Sequence, residues 1–421
     1  MSSVVRLPRR IYRGAEITRA PDMINDYDFS SVYQPILSPT HRKLVGYEAL
    51  VRVRKNNESV SPFALFEQAE AKDLTAELDR HLLQIHLDNF AAGSQPVWLF
   101  LNINPGTCIH PEASLEKLAL QCQSSGIDPE KVVLELVETA SDNPEALLEF
   151  ILKAKAHGFQ IAIDDFGMGD SNFERLWRIN PLIVKLDRSL LVNAENHSRA
   201  RMLLESLVKM IRESGSLVLL EGIENSTQAH IALQTEADLL QGFLFARPTS
   251  LQEHEPELIE LALKGVIADS SESSAQDIRD QESYFRLLRF EILEACHSLS
   301  RELPFNTACE KLLDVDGVKR CFLLNAQGIQ QGNLARANPD IHRGKFNPLY
   351  HSAGARWTHR EYFRNALERP QHISSCRPYV GLPDAKRTVT LSTMLPGQRV
   401  FCVDIHPDEL FGGQLEFPAT L

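Results

Sequence analysis

An α/β barrel followed by a smaller α+β domain is the fold this sequence predicts, and three observations carry the prediction. From residue 33 to about 248, short apolar runs alternate with longer amphipathic stretches, as strands and helices do when they take turns along a chain. Successive apolar runs end in a polar residue able to bind metal or handle protons, which is what a parallel barrel presents at the C-terminal ends of its strands. The chain's 421 residues exceed one ordinary core, and the pattern changes after Pro248. An open doubly wound sheet shares the alternation. Against it, Gly167-Met168-Gly169 lacks the third glycine of a dinucleotide fingerprint.

Residues 1–27 carry Arg6, Arg9, Arg10, Arg13 and Arg19 with no apolar core of signal-peptide length behind them, and read as a solvated arm. The strand-like runs then follow in order. Residues 44–50 carry Glu48, 97–103 carry Asn102, and 132–137 carry Glu135 with Glu138 just beyond. Residues 161–163 end in Asp164 and Asp165, 182–186 carry Lys185, 217–220 lead into Glu221, and 239–240 lead into Gln241. Between them, 62–74, 75–90, 115–124, 145–157, 189–213 and 227–235 read as helices, with 251–267 as the last helix of the barrel. Adjacent carboxylates such as Asp164 and Asp165 repel, and a divalent cation relieves them; Mg²⁺ or Mn²⁺ suits all-oxygen ligands. The plainer alternative is that they cap a helix or begin a turn.

A formal charge of -12 argues against a general nucleic-acid binder, DNA included, because such proteins offset phosphates with excess Lys and Arg. A small phosphorylated substrate held by a few local cations stays compatible with it. Seven cysteines, an odd number without C-x-x-C spacing, read as reduced structural thiols. No run approaches the ~18 apolar residues of a membrane span, so a soluble cytoplasmic protein is expected.

Eight motifs, taken together, resemble the EAL-domain cyclic-di-GMP phosphodiesterases across residues 28–250. They are Tyr33-Gln34-Pro35-Ile36, Tyr47-Glu48-Ala49-Leu50-Val51-Arg52, Leu101-Asn102-Ile103-Asn104, Glu135-Leu136-Val137-Glu138, Asp164-Asp165-Phe166-Gly167, Val184-Lys185-Leu186-Asp187, Glu221-Gly222-Ile223-Glu224 and Gln241-Gly242-Phe243. The resemblance implies a modified TIM-type (β/α)8 barrel over 28–267 with one antiparallel strand. It also implies hydrolysis of cyclic-di-GMP to linear pGpG with two Mg²⁺ or Mn²⁺ ions. Metals can neutralise a phosphodiester's charge and lower the pKa of the attacking water, which suits these residue types. By the same resemblance Glu48, Asn102, Glu135, Asp164 and Asp165 hold metal, and Lys185, Glu221 and Gln241 act on the water. Gln34, Arg52 and Asp187 contact substrate, the arginine matching a phosphate's two-pronged geometry. Glu138 braces the loop after Asp165. That loop departs from the family at Met168, Asp170 and Asn172, and Asn225 stands where Thr is usual. Because the loop links metal binding to dimer contacts in the family, these departures bear on regulation.

Beyond the barrel, residues 268–275 are rich in Ser, Glu and Asp and read as a hinge, and 277–303 read as an amphipathic connecting helix. A homodimer through the barrel and this helix is expected, with docking of the helix on one domain's core as the alternative. Residues 304–421 mix a helix with strand-like runs at 317–324, 387–395 and 399–405, a turn at 325–328 and a hairpin around Pro396-Gly397. They resemble the PAS-like or Cache-like domain that follows the barrel in some EAL proteins. Trp357, Arg360, Tyr379 and Asp404 then stand in a pocket-lining pattern for an unidentified small molecule; core aromatics are the alternative. Two functions remain in play: the enzyme, and a receptor that binds cyclic-di-GMP and signals by contact. Retention of every metal-ligand position favours the enzyme.

Overall fold

The computed structural model describes residues 22–93, 96–109, 115–137, 144–167, 173–335, 354–381, 386–413, 415 and 417–421. The arginines of the N-terminal arm, Glu138 and residues 168–172 lie outside these.

The first unit is a barrel. Its strands are β1 (Asp28–Ser38), β2 (Lys43–Lys55), β3 (Glu58–Val60), β4 (Trp98–Ile103), β5 (Val132–Val137), β6 (Gln160–Phe166), β7 (Ile183–Leu186), β8 (Leu217–Leu220) and β9 (Leu239–Leu240). The sheet runs β1-β9-β8-β7-β6-β5-β4-β2 and closes where β1 pairs with β2. β1 is antiparallel to both neighbours, and every other barrel pairing is parallel, so the expected single reversed strand is present. β3 is a short extension paired with the far end of β2.

The strands form where β-branched and leucine-rich runs can be buried on both faces, as a helix-wrapped barrel requires. Ile36, Phe100, Val133, Ala162, Ile183, Leu219 and Leu239, one from each of seven strands, form a single buried cluster. On β2 the matching place is taken by Gly46: a Cβ there would sit 2.7 Å from the Phe100 ring, so the glycine makes room for the largest side chain of the layer. Side chains alternate along a strand, so the residues two positions nearer the barrel mouth face the same interior. They are Gln34, Glu48, Asn102, Glu135, Asp164, Lys185, Glu221 and Gln241.

The helices read from the sequence form in place with three differences, and three short ones, Asp22–Asn25 within the stretch read as an arm, Pro105–Ile109 and Phe173–Ile179, are additional to that reading. The helix Pro62–Glu70 stops before a turn through Asp73, whose φ of 56° is left-handed. The single helix read at 189–213 is two, Arg188–Asn196 and Ser198–Glu213, broken at His197. Most substantially, the hinge read at 268–275 is helical: one helix runs from Pro256 to Ser300. Neither Gly nor Pro occurs from 266 to 303. Once a helix is nucleated on both sides, each intervening residue adds a hydrogen bond, and polar composition only keeps that stretch in solvent.

The second unit holds an antiparallel sheet of β10 (Val318–Leu324), β11 (Gln330–Ala335), β12 (Ser374–Ser375), β13 (Tyr379–Val380), β14 (Arg387–Leu395) and β15 (Arg399–Ile405), in the order β11-β10-β15-β14-β12 with β13 on β14. Strand alternation builds a core on each face. Cys321, Leu323, Phe401 and Val403 pack with Leu288, Ile292, Ala295 and Leu299 of the long helix. Phe322, Leu324, Val400 and Cys402 pack with Tyr362, Phe363 and Ala366 of the helix Glu361–Glu368. The turn at 325–328 closes as expected, with the Gly328 amide donating to the Asn325 carbonyl at 2.8 Å. All seven cysteines are free thiols. No helix among the described residues is long and apolar enough to cross a membrane.

Candidate active site

Above the apolar layer, the eight barrel strands each deliver one polar side chain to a common centre, and Lys185 occupies its middle. Its Nζ lies 2.6 Å from Glu221 Oε1, 2.7 Å from Glu135 Oε1, 3.1 Å from Asp164 Oδ1 and 3.8 Å from Glu48 Oε1. The Lys185 side chain is 1% exposed. Burial alone would strip the proton from a lysine; here the carboxylates of Asp164, Glu135, Glu221 and Glu48 outweigh it and hold the ammonium well above its ordinary pKa.

The acids feel the converse. Burial pushes Glu135 well above the usual carboxylate range, Lys185 opposes this, and Glu48, Asp164 and Glu221 reinforce it. Glu221 is pushed up to about 8 by the same burial, again opposed by Lys185. Asp165 is also raised, by burial and then by Asp164 and Asp187. Four carboxylates lie within 3.8 Å of one ammonium, more acids than a single cation can pair.

The neutral members complete the ring. Gln241 Nε2 donates to Glu48 Oε2 at 2.6 Å and to Gln34 Oε1 at 3.3 Å, and Asn102 Nδ2 donates to Glu48 Oε1 at 3.0 Å. Gln34 and Glu48 are directly opposed across β1 and β2, which explains why the reversed strand still contributes to the ring. Glu221 and Gln241 are held side by side because their loops touch: Ile223 N donates to Gln241 O at 3.1 Å, and a Cβ on Gly242 would fall 2.1 Å from Ile223 O. Asp165, at φ 55°, turns the chain sharply as β6 ends, and its amide donates to Asp164 Oδ1 at 2.9 Å.

Two expected substrate contacts stand outside the ring. Arg52 lies on the same strand face as Glu48, two alternations along, and is exposed, with Nη1 donating to Val51 O at 3.3 Å. Asp187 Oδ1 accepts from Ser189 N at 2.8 Å, so it starts the helix Arg188–Asn196 while its charge still reaches Asp165. The expected loop brace, Glu138, is outside the described residues.

Sequence reasoning missed two supports. Buried Asp79 accepts from the amide of Asn104 at 3.0 Å, just beyond Asn102, and burial raises its pKa to about 7. Its signal was present: Asp79 and His86 occupy positions shared with Leu82 and Leu83 on the apolar face of the helix Thr75–Ala91. Arg188 pairs with Glu224 at 2.6 Å across Gly222, where any Cβ would strike the arginine stem at 2.4 Å.

Divalent cations fit these donors. Among the described residues no three acidic, His or Cys side chains form a ready-made cage, since the carboxylates converge on Lys185. Yet Glu135 Oε2 and Gln241 Oε1 are buried without a hydrogen-bond partner. Orphaned oxygens beside surplus carboxylates are what hard, oxygen-seeking cations satisfy.

This barrel with a ring of acids around a lysine defines a class, and sequence comparison gives it a family. The EAL domain model matches residues 17–248, over half of the chain, and the chain belongs to the EAL-domain family. It is 28% identical over 250 residues to the cyclic di-GMP phosphodiesterase RocR of Pseudomonas aeruginosa, covering 58% of this chain and 63% of RocR. It is 27% identical over 232 residues to YkuI, an uncharacterised EAL-domain protein of Bacillus subtilis, covering 54% of this chain and 56% of YkuI. The chain thus spans less than two thirds of either relative in sequence. The crystal structure of YkuI, in complex with substrate c-di-GMP and calcium, superposes with a TM-score of 0.74 at 21% identity, over 90% of this chain and 96% of that one. The likeness of fold therefore extends past the barrel.

Proposed function

We propose that this chain is a phosphodiesterase that hydrolyses cyclic-di-GMP to pGpG with two Mg²⁺ or Mn²⁺ ions. The observation that carries the proposal is the ring itself: eight strands each contribute one polar side chain at one level, and their chemistry is that of phosphodiester hydrolysis. Glu48, Asn102, Glu135, Asp164 and Asp165 would hold the ions, which when bound would offset phosphate charge and acidify the attacking water. Glu221, with its raised pKa, is suited to exchanging a proton near neutral pH, and Lys185 beside it supplies a fixed positive charge for the developing negative charge of the transition state. Gln241, fixed by Glu48, orients water or substrate, while Gln34, Arg52 and Asp187 face the nucleotide. We assign the unit after residue 300 a regulatory role, with Trp357, Arg360, Tyr379 and Asp404 as its ligand-facing candidates. There the side chains of Arg320, Asp404, Thr390 and Tyr379 form a polar chain in which both Asp404 oxygens have partners, beside the core cluster that Trp357 and Tyr379 pack against.

Metal dependence tests the proposal. Purified protein is expected to convert cyclic-di-GMP to pGpG with Mg²⁺ or Mn²⁺ and to turn over poorly with Ca²⁺, which prefers more ligands and longer bonds. Undiminished turnover after chelation of all divalent ions would refute the assigned chemistry.

A further inference from the structure

We infer that Phe243 is a stacking platform for one guanine of the substrate, set on the rim of the polar ring by a turn that is anchored beside ring residues at both ends. The inference rests on the proposed hydrolysis of cyclic-di-GMP and names what receives a base. Phe243 closes the motif Gln241-Gly242-Phe243, and the hydrolytic assignment leaves it without a role. It is 43% exposed, while Gly242 before it and Phe245 two residues on are buried. A lone exposed aromatic is ordinary on a protein surface. This one is held in place from several sides.

The turn leaves the barrel at Gln241, whose side chain meets Gln34 at 3.3 Å, and rejoins it at Thr249. There Tyr33 N donates to Thr249 O at 2.7 Å and Thr249 N to Tyr33 O at 3.2 Å. Tyr33 adjoins Gln34 and, because β1 is reversed, stands one step nearer the mouth. Residues 242–248 therefore cross the mouth between β9 and β1. Within the turn, Leu244 N donates to Ile223 O at 2.9 Å and Phe245 N to Gly242 O at 3.2 Å, which fixes the backbone after Phe243. Gly242, closed in by the Ile223 backbone, fixes it before. The Arg247 guanidinium lies over the Phe243 ring, 4.6 Å from its centroid, and holds the plane of the ring by covering one face. What stays exposed is a flat apolar surface beside a polar site. A planar base is the ligand that fits, since stacking needs no particular hydrogen-bonding edge and a face fixed before binding loses little freedom on binding. The bases of a cyclic dinucleotide project outward from its sugar-phosphate ring. A phosphate at the ring of carboxylates thus sends a base toward this rim.

Steady-state kinetics of the full chain with cyclic-di-GMP and Mg²⁺ test this. Phe243→Ala is expected to raise KM about tenfold or more, the worth of one lost base stack, while kcat changes much less, because a stack made alike in ground and transition states is uniform binding. Phe243→Trp should bring KM back near the wild-type value. Its added indole should also lose emission when cyclic-di-GMP is bound with Ca²⁺, measured against the wild-type chain and its three native tryptophans in the same titration. The inference is overturned if Phe243→Ala keeps the wild-type KM, if Phe243→Leu restores KM as fully as Phe243→Trp, or if saturating nucleotide leaves the added indole's emission unmoved. Wild-type protein that neither binds nor cleaves cyclic-di-GMP would remove the proposed activity and the platform with it. Normal wild-type turnover beside an unaffected Phe243→Ala would remove the platform alone.

Discussion

At the scale of single residues, Lys185 concentrates the most chemistry. It is buried, charged and within 3.1 Å of three carboxylates, and in the proposed hydrolysis an ammonium so placed would stabilise negative charge that develops only as the phosphodiester bond breaks. Lys185→Ala is expected to lower kcat by about 10²-fold or more while changing nucleotide affinity far less. Equal losses in affinity and rate would make it a substrate anchor. His86 makes a second prediction. Its Nδ1 lies 2.8 Å from Ser31 Oγ, and burial lowers its pKa from 6.5 to about 4. Between those values the unfolded chain binds a proton that the folded one refuses, so this residue's contribution to stability is present above pH 6.5 and is lost as pH falls to about 4, on the order of 3 kcal/mol. Asp79 acts in the opposite sense: its raised pKa gives stability present below 3.8 and lost as pH rises through about 7. The two partly cancel in the wild type, so the informative measurement is the difference from His86→Gln in urea unfolding at several pH values. That difference should change across pH 4 to 6.5; a constant difference would contradict the assignment of a buried neutral imidazole.

At the scale of elements, the barrel was legible because its interior is written at period two. Each strand places an apolar residue in the plug and a polar one two positions on, so Glu48, Asn102, Glu135, Asp164, Lys185, Glu221 and Gln241 could be read from where apolar runs end. What escaped was of another kind. Asp79 acts on the site through a backbone amide from a different helix, and Arg188 through Glu224 across a glycine; such pairings are absent from any single run. The hinge at 268–275 was misread because composition was taken locally, whereas a helix propagates from its neighbours. His197 shows the opposite error, a break inside a stretch whose periodicity reads as continuous. The plug makes its own prediction. Gly46→Val would drive side-chain atoms into the Phe100 ring, and overpacking of this kind costs about 1–3 kcal/mol. A lowered unfolding midpoint is expected, with partial recovery in the Gly46→Val, Phe100→Leu double variant; an unchanged midpoint would show that the layer is looser than described.

At the scale of the molecule, the eight-stranded barrel positions the ring and the second unit has a core of its own on each face of its sheet. A change of pattern after Pro248 marks where the barrel's alternation ends, and the absence of Gly and Pro from 266 to 303 is the sequence feature that lets one helix, Pro256–Ser300, run unbroken beyond it. The account's central claim is that the strand-end ring is a hydrolytic centre. The most direct test is to follow cyclic-di-GMP binding and pGpG formation together, by calorimetry and chromatography, in the wild-type chain and in folded Glu48→Ala with Mg²⁺ present. Glu48 touches Asn102, Gln241 and the Lys185 cluster at once, so its loss should abolish product formation. Wild-type protein that binds tightly yet releases no pGpG, or Glu48→Ala that turns over at a near-normal rate, would contradict the claim.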